Sequence, residues 1–395
     1  MKKFLVFNQG HLKANTGGPS GYLYILKSYF DNQQLKNIEL NSYEKSIENE
    51  NSFLSKTKQA VKKTIPEFFT HLSAYYKIMS KKEYKINLDD YSGIHFHSTI
   101  ALYKWNDYEK FDGKILLTSH SPKYYYSELL EDDKVLGNGI IKKVFGDRFK
   151  RIDREAFSKA DYLIMPCEQA LEIYRADKEI WSIIESKKKN NQIKYVPTGL
   201  IPKKILPQKD FFKDKQIPEG SFVISFIGRH IPVKGYDLLQ KFAEKIIPKY
   251  NNVYFVIAGN INKDYPPLNN EQWVEYGWTD KSFEIIKNSN LFILPNRQTY
   301  FDLVLLEVLS MGTPVMLSDT GGNKYFHKYK EKGLFFFEND NVDHMISRFE
   351  ALYKLWEDDR LKKFGDENKK LFDEEFTVET FGKRYVEALK DIEMI

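Results

Sequence analysis

The sequence predicts an α/β protein with two Rossmann-like domains that face each other across a cleft. Short apolar runs alternate with helix-length segments along most of the chain. A stretch rich in proline and lysine, residues 202–216, interrupts this alternation near the middle. A length of 395 residues also suits two domains better than a single hydrophobic core.

The first half of the chain contains short apolar runs that predict buried strands. They cover residues 4–8, 93–97, 114–119, 162–166 and 193–197. After the first run comes a polar loop with glycines, and then residues 21–30, whose apolar side chains recur at helical spacing. Short apolar strands separated by helices are typical of βαβ units in a parallel sheet.

The second half repeats the pattern after the stretch 202–216, which we take as the linker. Its apolar runs cover residues 222–227, 253–258, 291–295, 314–318 and 334–337. We therefore predict an N-terminal domain of residues 1–200 and a C-terminal domain of residues 201–375. The tail, residues 376–395, predicts an amphipathic helix that belongs with the first domain.

Composition narrows the classes of function. The chain has 60 Lys and Arg against 55 Asp and Glu, a net charge of +5, which is too small to indicate a nucleic-acid-binding protein. Cys167 is the only cysteine, so an internal disulfide and a cysteine-based zinc site are excluded. No apolar run is long enough for a signal peptide or a spanning helix, so we expect a cytoplasmic protein.

The segment 225–239, SFIGRHIPVKGYDLL, carries the strongest chemical signal. A strand ends before Gly228, and Arg229 and Lys234 lie between it and a predicted helix over 236–247. Two cations beside a helix N-terminus favour binding of a diphosphate, because side-chain charge and helix dipole add there. Taken alone, the same spacing also fits two solvated surface charges.

The segment Thr299–Asn323 carries the second signal, with Glu307 inside an apolar helical run. A carboxylate in a buried helix must find hydrogen-bond donors, and the two hydroxyls of a ribose supply them in a suitable geometry. An exposed glutamate, or one paired with a structural arginine, is the alternative interpretation.

Together the two segments resemble the nucleotide-binding half of the family 4 glycosyltransferases, which are retaining enzymes of the GT-B fold that include bacterial polysaccharide-assembly enzymes. Residues 253–260, 276–279 and 288–296 resemble weaker blocks of that family in the same order. The residues that match its motifs are Gly228, Arg229, Lys234, Gly235, Phe301, Val304, Leu306, Glu307, Gly312, Pro314, Val315, Gly321 and Gly322.

The resemblance implies that the N-terminal domain lies on the acceptor side and that the C-terminal domain binds the nucleotide sugar. It also implies roles for individual residues. Arg229 and Lys234 neutralise the leaving diphosphate, and Glu307 anchors the ribose. Further contacts to the donor are implied for Gly228, Gly277, Trp278, Phe301, Leu303 and Val304, with the turn 276–279 near the base.

Two positions depart from the family pattern. Thr299 stands where the family has the first carboxylate of its E-x7-E motif, and Asp302 stands where it has a glycine. We expect both to lie in an altered donor-sugar pocket. We also expect Asp302 to point away from the phosphates, towards a backbone amide at the start of its helix.

The N-terminal half matches the family less sharply. Gly17 and Gly18 resemble its glycine loop, which contacts donor phosphate or acceptor, although a glycine pair before a helix also serves as a plain turn. His95, His97 and His120 follow predicted strands, but no carboxylate base accompanies them, so we expect no metal site. The resemblance implies that His120 is the catalytic histidine that contacts the donor sugar.

These observations predict a hexosyl-type glycosyltransferase that takes its sugar from a nucleotide diphosphate sugar, UDP-sugar being favoured over GDP-sugar. The acceptor class is a glycan, a lipid-linked glycan or a protein, and retention of configuration is implied by the family. No D-x-D motif is found, which favours a metal-independent enzyme without a cofactor. The alternatives are a catalytically silent partner or acceptor-binding subunit and a sugar-nucleotide epimerase.

Two basic stretches with aromatic residues, 53–72 and 140–154, lie in the N-terminal half. A basic amphipathic face can rest on anionic lipid, which would place the protein on the inner face of the plasma membrane. Two solvated helix faces fit the same residues equally well.

Overall fold

The computed structural model describes residues 2–8, 12, 18–42, 67–131 and 140–395. The described residues form two compact units. The first draws on the ranges Met1–Met165, Leu171–Val196 and Gly382–Ile395, and the second on Pro166–Ala170 and Pro197–Phe381.

The first unit contains a parallel sheet in the order β2-β1-β3-β4-β5-β6. The strands are β1 (Lys3–Asn8), β2 (Ile38–Ser42), β3 (Tyr91–Phe96), β4 (Lys114–Leu117), β5 (Tyr162–Met165) and β6 (Ile193–Tyr195). Successive residues of β1, such as Leu5 and Val6, are both buried, because helices cover both faces of a parallel sheet.

Helices connect these strands. They are α1 (Gly18–Gln33), α2 (Glu67–Met79), α3 (Thr99–Lys104), α4 (Tyr125–Glu131), α5 (Ile140–Phe145), α6 (Lys150–Lys159) and α7 (Lys178–Lys189). The last helix of the chain, Val378–Asp391, runs on into this unit and buries Tyr385 and Leu389. Gly382 lies against the ring of Tyr29, where an added Cβ would come within 2.1 Å of the ring.

The second unit contains another parallel sheet, in the order β12-β11-β10-β7-β8-β9. The strands are β7 (Phe222–Ile227), β8 (Val253–Ala258), β9 (Trp273–Gly277), β10 (Leu291–Leu294), β11 (Val315–Ser318) and β12 (Leu334–Phe337). The strand order reverses between β7 and β10. Loops that leave the carboxyl ends of two such strands diverge and open a crevice, which is where α/β sheets of this kind bind ligands.

Helices also flank the second sheet. They are α8 (Tyr236–Ile246), α9 (Ser282–Lys287), α10 (Leu303–Met311), α11 (Val342–Glu357) and α12 (Leu361–Glu375), and the chain-terminal helix Val378–Asp391 becomes α13. The proline- and lysine-rich stretch 202–216 lies within this unit, where Phe212 packs with Val223 and Val256. No helix in the described part of the chain has the length and apolar character needed to cross a bilayer.

The predicted class of two parallel α/β sheets is confirmed. The apolar runs coincide, within two residues at either end, with every strand of the two sheets except β2 and β9. Both of these are edge strands, and their sequences, IELNS and WVEYG, mix polar with apolar residues. An edge strand has fewer neighbours to pack against, so it needs no continuous apolar run.

Candidate functional site

Arg229 and Lys234, the predicted diphosphate clamp, lie in a loop at the carboxyl end of β7. Arg229 is exposed, and a 3-10 turn, Pro232–Lys234, leads to Gly235 and into α8. Gly235 has a φ of 70°, and a Cβ there would lie 1.7 Å from the carbonyl oxygen of Pro295. A glycine is therefore required, because the clamp loop and the end of β10 are in backbone contact.

Arg297 fixes this loop from the β10 side. Its backbone N–H donates to the carbonyl of Val233 at 3.1 Å, and its guanidinium donates to both carboxylate oxygens of Asp237 at 2.6 and 2.8 Å. It also donates to the carbonyl of Pro232 at 2.8 Å. Bidentate pairs of this kind are geometrically specific, so Arg297 holds the loop that carries Lys234. The sequence around Arg297 does not indicate this role, because its partner Asp237 lies 60 residues away.

Lys234 is bound to Asp302. Its Nζ donates to the two carboxylate oxygens at 2.7 and 3.0 Å, and the buried amide of Asn296 donates to the same carboxylate. Asp302 is the N-cap residue of α10, yet its side chain makes no capping hydrogen bond. The expectation that Asp302 turns towards a helix-start amide is therefore wrong: its carboxylate is drawn to the nearby ammonium, a stronger donor than a neutral amide.

Thr299 lies next to the glycine pair that follows β11. Its carbonyl accepts a hydrogen bond from Gly322 N–H at 3.0 Å, and a Cβ on Gly321 would lie 2.2 Å from that carbonyl oxygen. The Oγ1 of Thr299 is buried and has no hydrogen-bond partner in the described residues. A buried hydroxyl without a hydrogen-bond partner lowers the stability of the fold unless a ligand or a water molecule binds it.

Glu307 lies in the second turn of α10 and is half-buried. Burial raises the pKa of its carboxyl group to about 7, and the charge of Lys203 opposes the shift. Within the described residues we find no hydrogen bond to this carboxylate. It is therefore ready to accept donors from a ligand, as the ribose assignment requires.

The remaining donor-binding candidates of the second unit lie in three places. Gly277 ends β9 with a φ of 65° and open space around its Cα, and Trp278 after it is 73% exposed. Phe301 is buried against Phe326, with ring centroids 5.5 Å apart. Leu303 and Val304 are half-buried in the first turn of α10, and Gly228 is half-buried at the end of β7. Phe301 thus serves packing, while Trp278 is available to a ligand.

Arg229 borders a cavity of about 490 Å³. The described residues that line it are Arg229, His230, Ile231, Asn260, Ile261, Asn262, Lys263 and Asp264. Lys234 and Glu307 are not part of this lining. The cavity therefore joins Arg229 to the loop after β8, in which Asn260 ends the family-like block 253–260 and residues 261–264 match no motif.

A buried polar cluster lies beside Arg229. His230 is fully buried, stacks on Tyr236 with centroids 4.1 Å apart, and has its Nε2 3.5 Å from a carboxylate oxygen of Glu275. Burial lowers the pKa of His230 to about 4 and raises that of Glu275 to about 7. Both shifts favour the pair without net charge, a neutral imidazole beside a protonated carboxyl group.

The first unit holds the other predicted residues. His120 follows β4, is half-buried and has a φ of 58°, in the left-handed region that non-glycine residues seldom adopt. Gly18 opens α1 with a φ of 67° and is exposed, whereas Gly17 lies outside the described residues. Tyr22, four residues along α1, packs edge-on against the His120 ring at 4.6 Å.

Comparisons with known proteins agree with this picture. The sequence profile of the glycosyl transferases group 1 matches residues 207–371, which contain both motifs. The UDP-Gal:alpha-D-GlcNAc-diphosphoundecaprenol alpha-1,3-galactosyltransferase of Escherichia coli is 27% identical over 282 residues, 66% of this chain and 70% of that protein.

Solved structures share the fold over the full length. The sucrose-phosphate synthase of Thermosynechococcus elongatus matches with a TM-score of 0.65 at 14% identity, over 99% of each chain. Anabaena HepE in complex with UDP and glucose matches with a TM-score of 0.60 at 12% identity, over 99% of this chain and 100% of the other. Residues 207–371 thus match the group 1 glycosyltransferase profile, and the chain as a whole, with its two parallel α/β sheets, has the GT-B fold of these structures.

Proposed function

We propose that the protein transfers a hexose from a UDP-sugar, with Arg229 and Lys234 on the diphosphate and Glu307 on the ribose. The observation that carries this proposal is the position of the two cations. Both lie in the loop after β7, where the strand order reverses, and Gly235 and Arg297 fix the path of that loop. Breaking the sugar–phosphate bond builds negative charge on the diphosphate, and fixed cations there stabilise the transition state.

The names of related proteins support UDP as the nucleotide. The Escherichia coli relative is named for UDP-Gal, and HepE was solved with UDP. Retention of configuration and independence of a divalent metal are parts of the same proposal. In this proposal, positively charged side chains neutralise the leaving diphosphate, which is the role of a metal ion in other transferases.

We assign His120 to contacts with the transferred sugar and the glycine loop at 17–18 to contacts with the donor phosphate or the acceptor. The strained backbone of His120 supports a ligand-binding role, because residues held in the left-handed region cluster at such sites. Thr299 belongs to the same proposal, since its buried Oγ1 has no partner in the described residues.

A lipid-linked acceptor is the class we favour. The Escherichia coli relative is named for a diphosphoundecaprenol-linked sugar. In the first unit, α2 and α5 pack together through Tyr75 and Phe145, with centroids 4.7 Å apart. The paired helices leave Tyr76 62% and Val144 58% exposed.

Lys143, next to Val144 in sequence, is exposed, and so is Arg148, whose guanidinium lies 4.9 Å from the centre of the Phe145 ring. Apolar residues flanked by cations suit the surface of an anionic membrane, with which we propose peripheral contact. The other basic stretch, 53–72, falls largely outside the described residues. Sedimentation with anionic but not neutral vesicles, weakened by salt, tests this contact, and equal sedimentation with both would contradict it.

The test of the transfer reaction is acceptor-dependent release of UDP. The full chain is mixed with a panel of UDP-sugars and an undecaprenyl-diphosphate-linked sugar in detergent, and the product is analysed for the new linkage. Transfer with retained configuration is expected. An epimerised nucleotide sugar without transfer would contradict the proposal.

A catalytically silent partner subunit is the second candidate, because the ion pair with Asp302 neutralises Lys234. The substitution Thr299→Glu separates the two. In an active enzyme it lowers activity or changes the preferred donor. If it creates activity in an inert wild-type protein, the silent subunit is the correct function.

A further inference from the structure

Three histidines lie together in the first unit because their strands are neighbours. β3 and β4 pair in parallel, with Phe96 opposite Leu117. His95 lies within β3, and His97 and His120 follow the two strands at the same edge. The His95 and His97 rings have centroids 4.0 Å apart, and those of His97 and His120 are 5.1 Å apart.

The hydrogen bonds of His95 fix its tautomer. Thr118 donates its only hydroxyl proton to the carbonyl of Ile164 at 2.7 Å, so towards His95 Nε2, 2.9 Å away, it can only accept. His95 Nε2 therefore carries the proton. Its Nδ1 then accepts from the Tyr385 hydroxyl at 2.8 Å, since burial keeps His95 neutral by lowering its pKa.

His97 and His120 share one hydrogen bond, 2.8 Å between His97 Nδ1 and His120 Nε2. Burial lowers the pKa of both rings, so both are neutral and only one of these two nitrogens carries a proton. If His120 donates, the proton of His97 lies on its Nε2. That nitrogen is buried and has no partner in the described residues.

The two arrangements differ in whether His97 Nε2, the buried atom without a partner in the described residues, is a donor or an acceptor. Donation by His120 leaves a buried N–H without an acceptor, which native proteins seldom tolerate. Donation by His97 leaves only an unprotonated nitrogen in that place. It also puts the remaining proton of His120 on Nδ1, and Nδ1 is not among the buried unpartnered atoms.

We infer that His97 is a positioning residue that fixes His120 as the Nδ1–H tautomer, so that the free edge of His120 presents a hydrogen-bond donor. Such a donor recognises an oxygen acceptor, a sugar hydroxyl or a phosphate oxygen. The inference rests on the proposed contact of His120 with the donor sugar. Tyr22, packed against both histidine rings, limits their rotation.

The tautomer can be measured without a substrate. In the full chain labelled with ¹⁵N-histidine, long-range ¹H–¹⁵N spectra distinguish Nδ1–H from Nε2–H rings, and His120→Gln assigns the signal. The expected result is Nε2–H for His95 and Nδ1–H for His97 and His120. An Nε2–H signal for His120 in the wild type overturns the inference, whether or not the protein transfers sugar.

Two substitutions of His97 separate positioning from simple packing. The amide of His97→Asn can donate from nearly the place of Nδ1, whereas His97→Leu fills space without a donor. We expect His97→Leu to lower kcat at least about tenfold with little change in KM, because a misoriented His120 loses transition-state contact. In this variant the proton of His120 should no longer be confined to Nδ1. His97→Asn should retain activity within about threefold of wild type by the same argument.

Equal loss of kcat in both variants, with the His120 tautomer unchanged, would overturn the positioning role. Should His97→Leu fail to fold, the wild-type spectrum and the Asn variant still decide the question. Failure of the proposed function has a different signature, namely no transfer by the wild type while the tautomers are as predicted.

Discussion

Lys234 and Asp302, separated by 68 residues in sequence, form an ion pair in which both carboxylate oxygens accept from one ammonium group at 2.7 and 3.0 Å. Both side chains are largely buried, with 23% and 18% of their surface exposed. A diphosphate that recruits Lys234 must therefore compete with a carboxylate that is already in place. If Lys234 binds the diphosphate as proposed, this ion pair should lower the affinity of the site for it.

Substitution of Asp302 by Asn should strengthen UDP binding. The change removes an anion next to the diphosphate and frees the ammonium of Lys234, a gain of about 1–2 kcal/mol, or roughly tenfold in Kd. Calorimetric titration with UDP measures it. The control is Asp343→Asn, which breaks an exposed ion pair with Lys245 and should leave Kd unchanged. Unchanged or weaker binding in Asp302→Asn would contradict competition.

The sequence predicts the elements of this site better than their contacts. The end of β7, the glycines and the start of α10 follow from apolar runs and turn residues, because these are local properties. Two contacts of the site depend on which strands become neighbours, and no local sequence pattern encodes that. They are the ion pair of Lys234 with Asp302 and the bidentate hydrogen bond of Arg297 to Asp237.

The histidine pair could have been found from the sequence. His97 and His120 both follow strands that are consecutive in a parallel sheet, and such strands bring their carboxyl ends to one edge. What the sequence does not contain is the burial that leaves His97 Nε2 without a partner and that keeps all three rings neutral.

Donor affinity should rise with pH through the pKa of Glu307, about 7. The ionised carboxylate accepts hydrogen bonds from both ribose hydroxyls, and at pH 6 most of the population is protonated. We expect the Kd for a UDP-sugar to fall about fivefold between pH 6 and pH 8. Glu307→Gln should show a flat profile. The same pH dependence in both proteins would exclude Glu307 as its source.

Stability should fall as pH rises through neutrality because of Glu275. Its pKa is about 7 in the folded protein against 4.5 as a model value, so its contribution is complete below pH 4.5 and is lost as pH rises through 7. His230, with a pKa lowered from 6.5 to about 4, acts oppositely: its contribution is complete above pH 6.5 and is lost as pH falls towards 4. Of these two residues, Glu275 accounts for most of the change above pH 6.5.

From pH 6.5 to pH 8.5 Glu275 should therefore lower the free energy of unfolding by about 1 kcal/mol, and Glu307, whose pKa is also about 7, adds a loss of its own. Glu275→Gln should show a drop that is smaller than that of the wild type by the Glu275 share, because the amide does not ionise. Urea denaturation at the two pH values measures the difference. Glu271→Gln, at an exposed position in the preceding loop, is the matched control and should behave as the wild type. An equal drop in Glu275→Gln would assign the effect to another group.

Transfer should continue after removal of divalent metal. The proposed stabilisation of the leaving diphosphate comes from Arg229 and Lys234, so exhaustive EDTA treatment should leave kcat unchanged. Complete loss of activity, restored by Mn²⁺ or Mg²⁺, would show that a metal ion stabilises the leaving group.

The clamp itself is the central claim, and kcat/KM for a UDP-sugar in Arg229→Ala and Lys234→Ala tests it most directly. Each substitution should cost about 2–4 kcal/mol of transition-state stabilisation, a loss of roughly 30-fold to 1,000-fold, with an unchanged circular dichroism spectrum. Lys245→Ala, which removes an exposed lysine from α8, should remain at the wild-type value. Near-normal turnover in both clamp variants would contradict the assignment of these residues to the diphosphate.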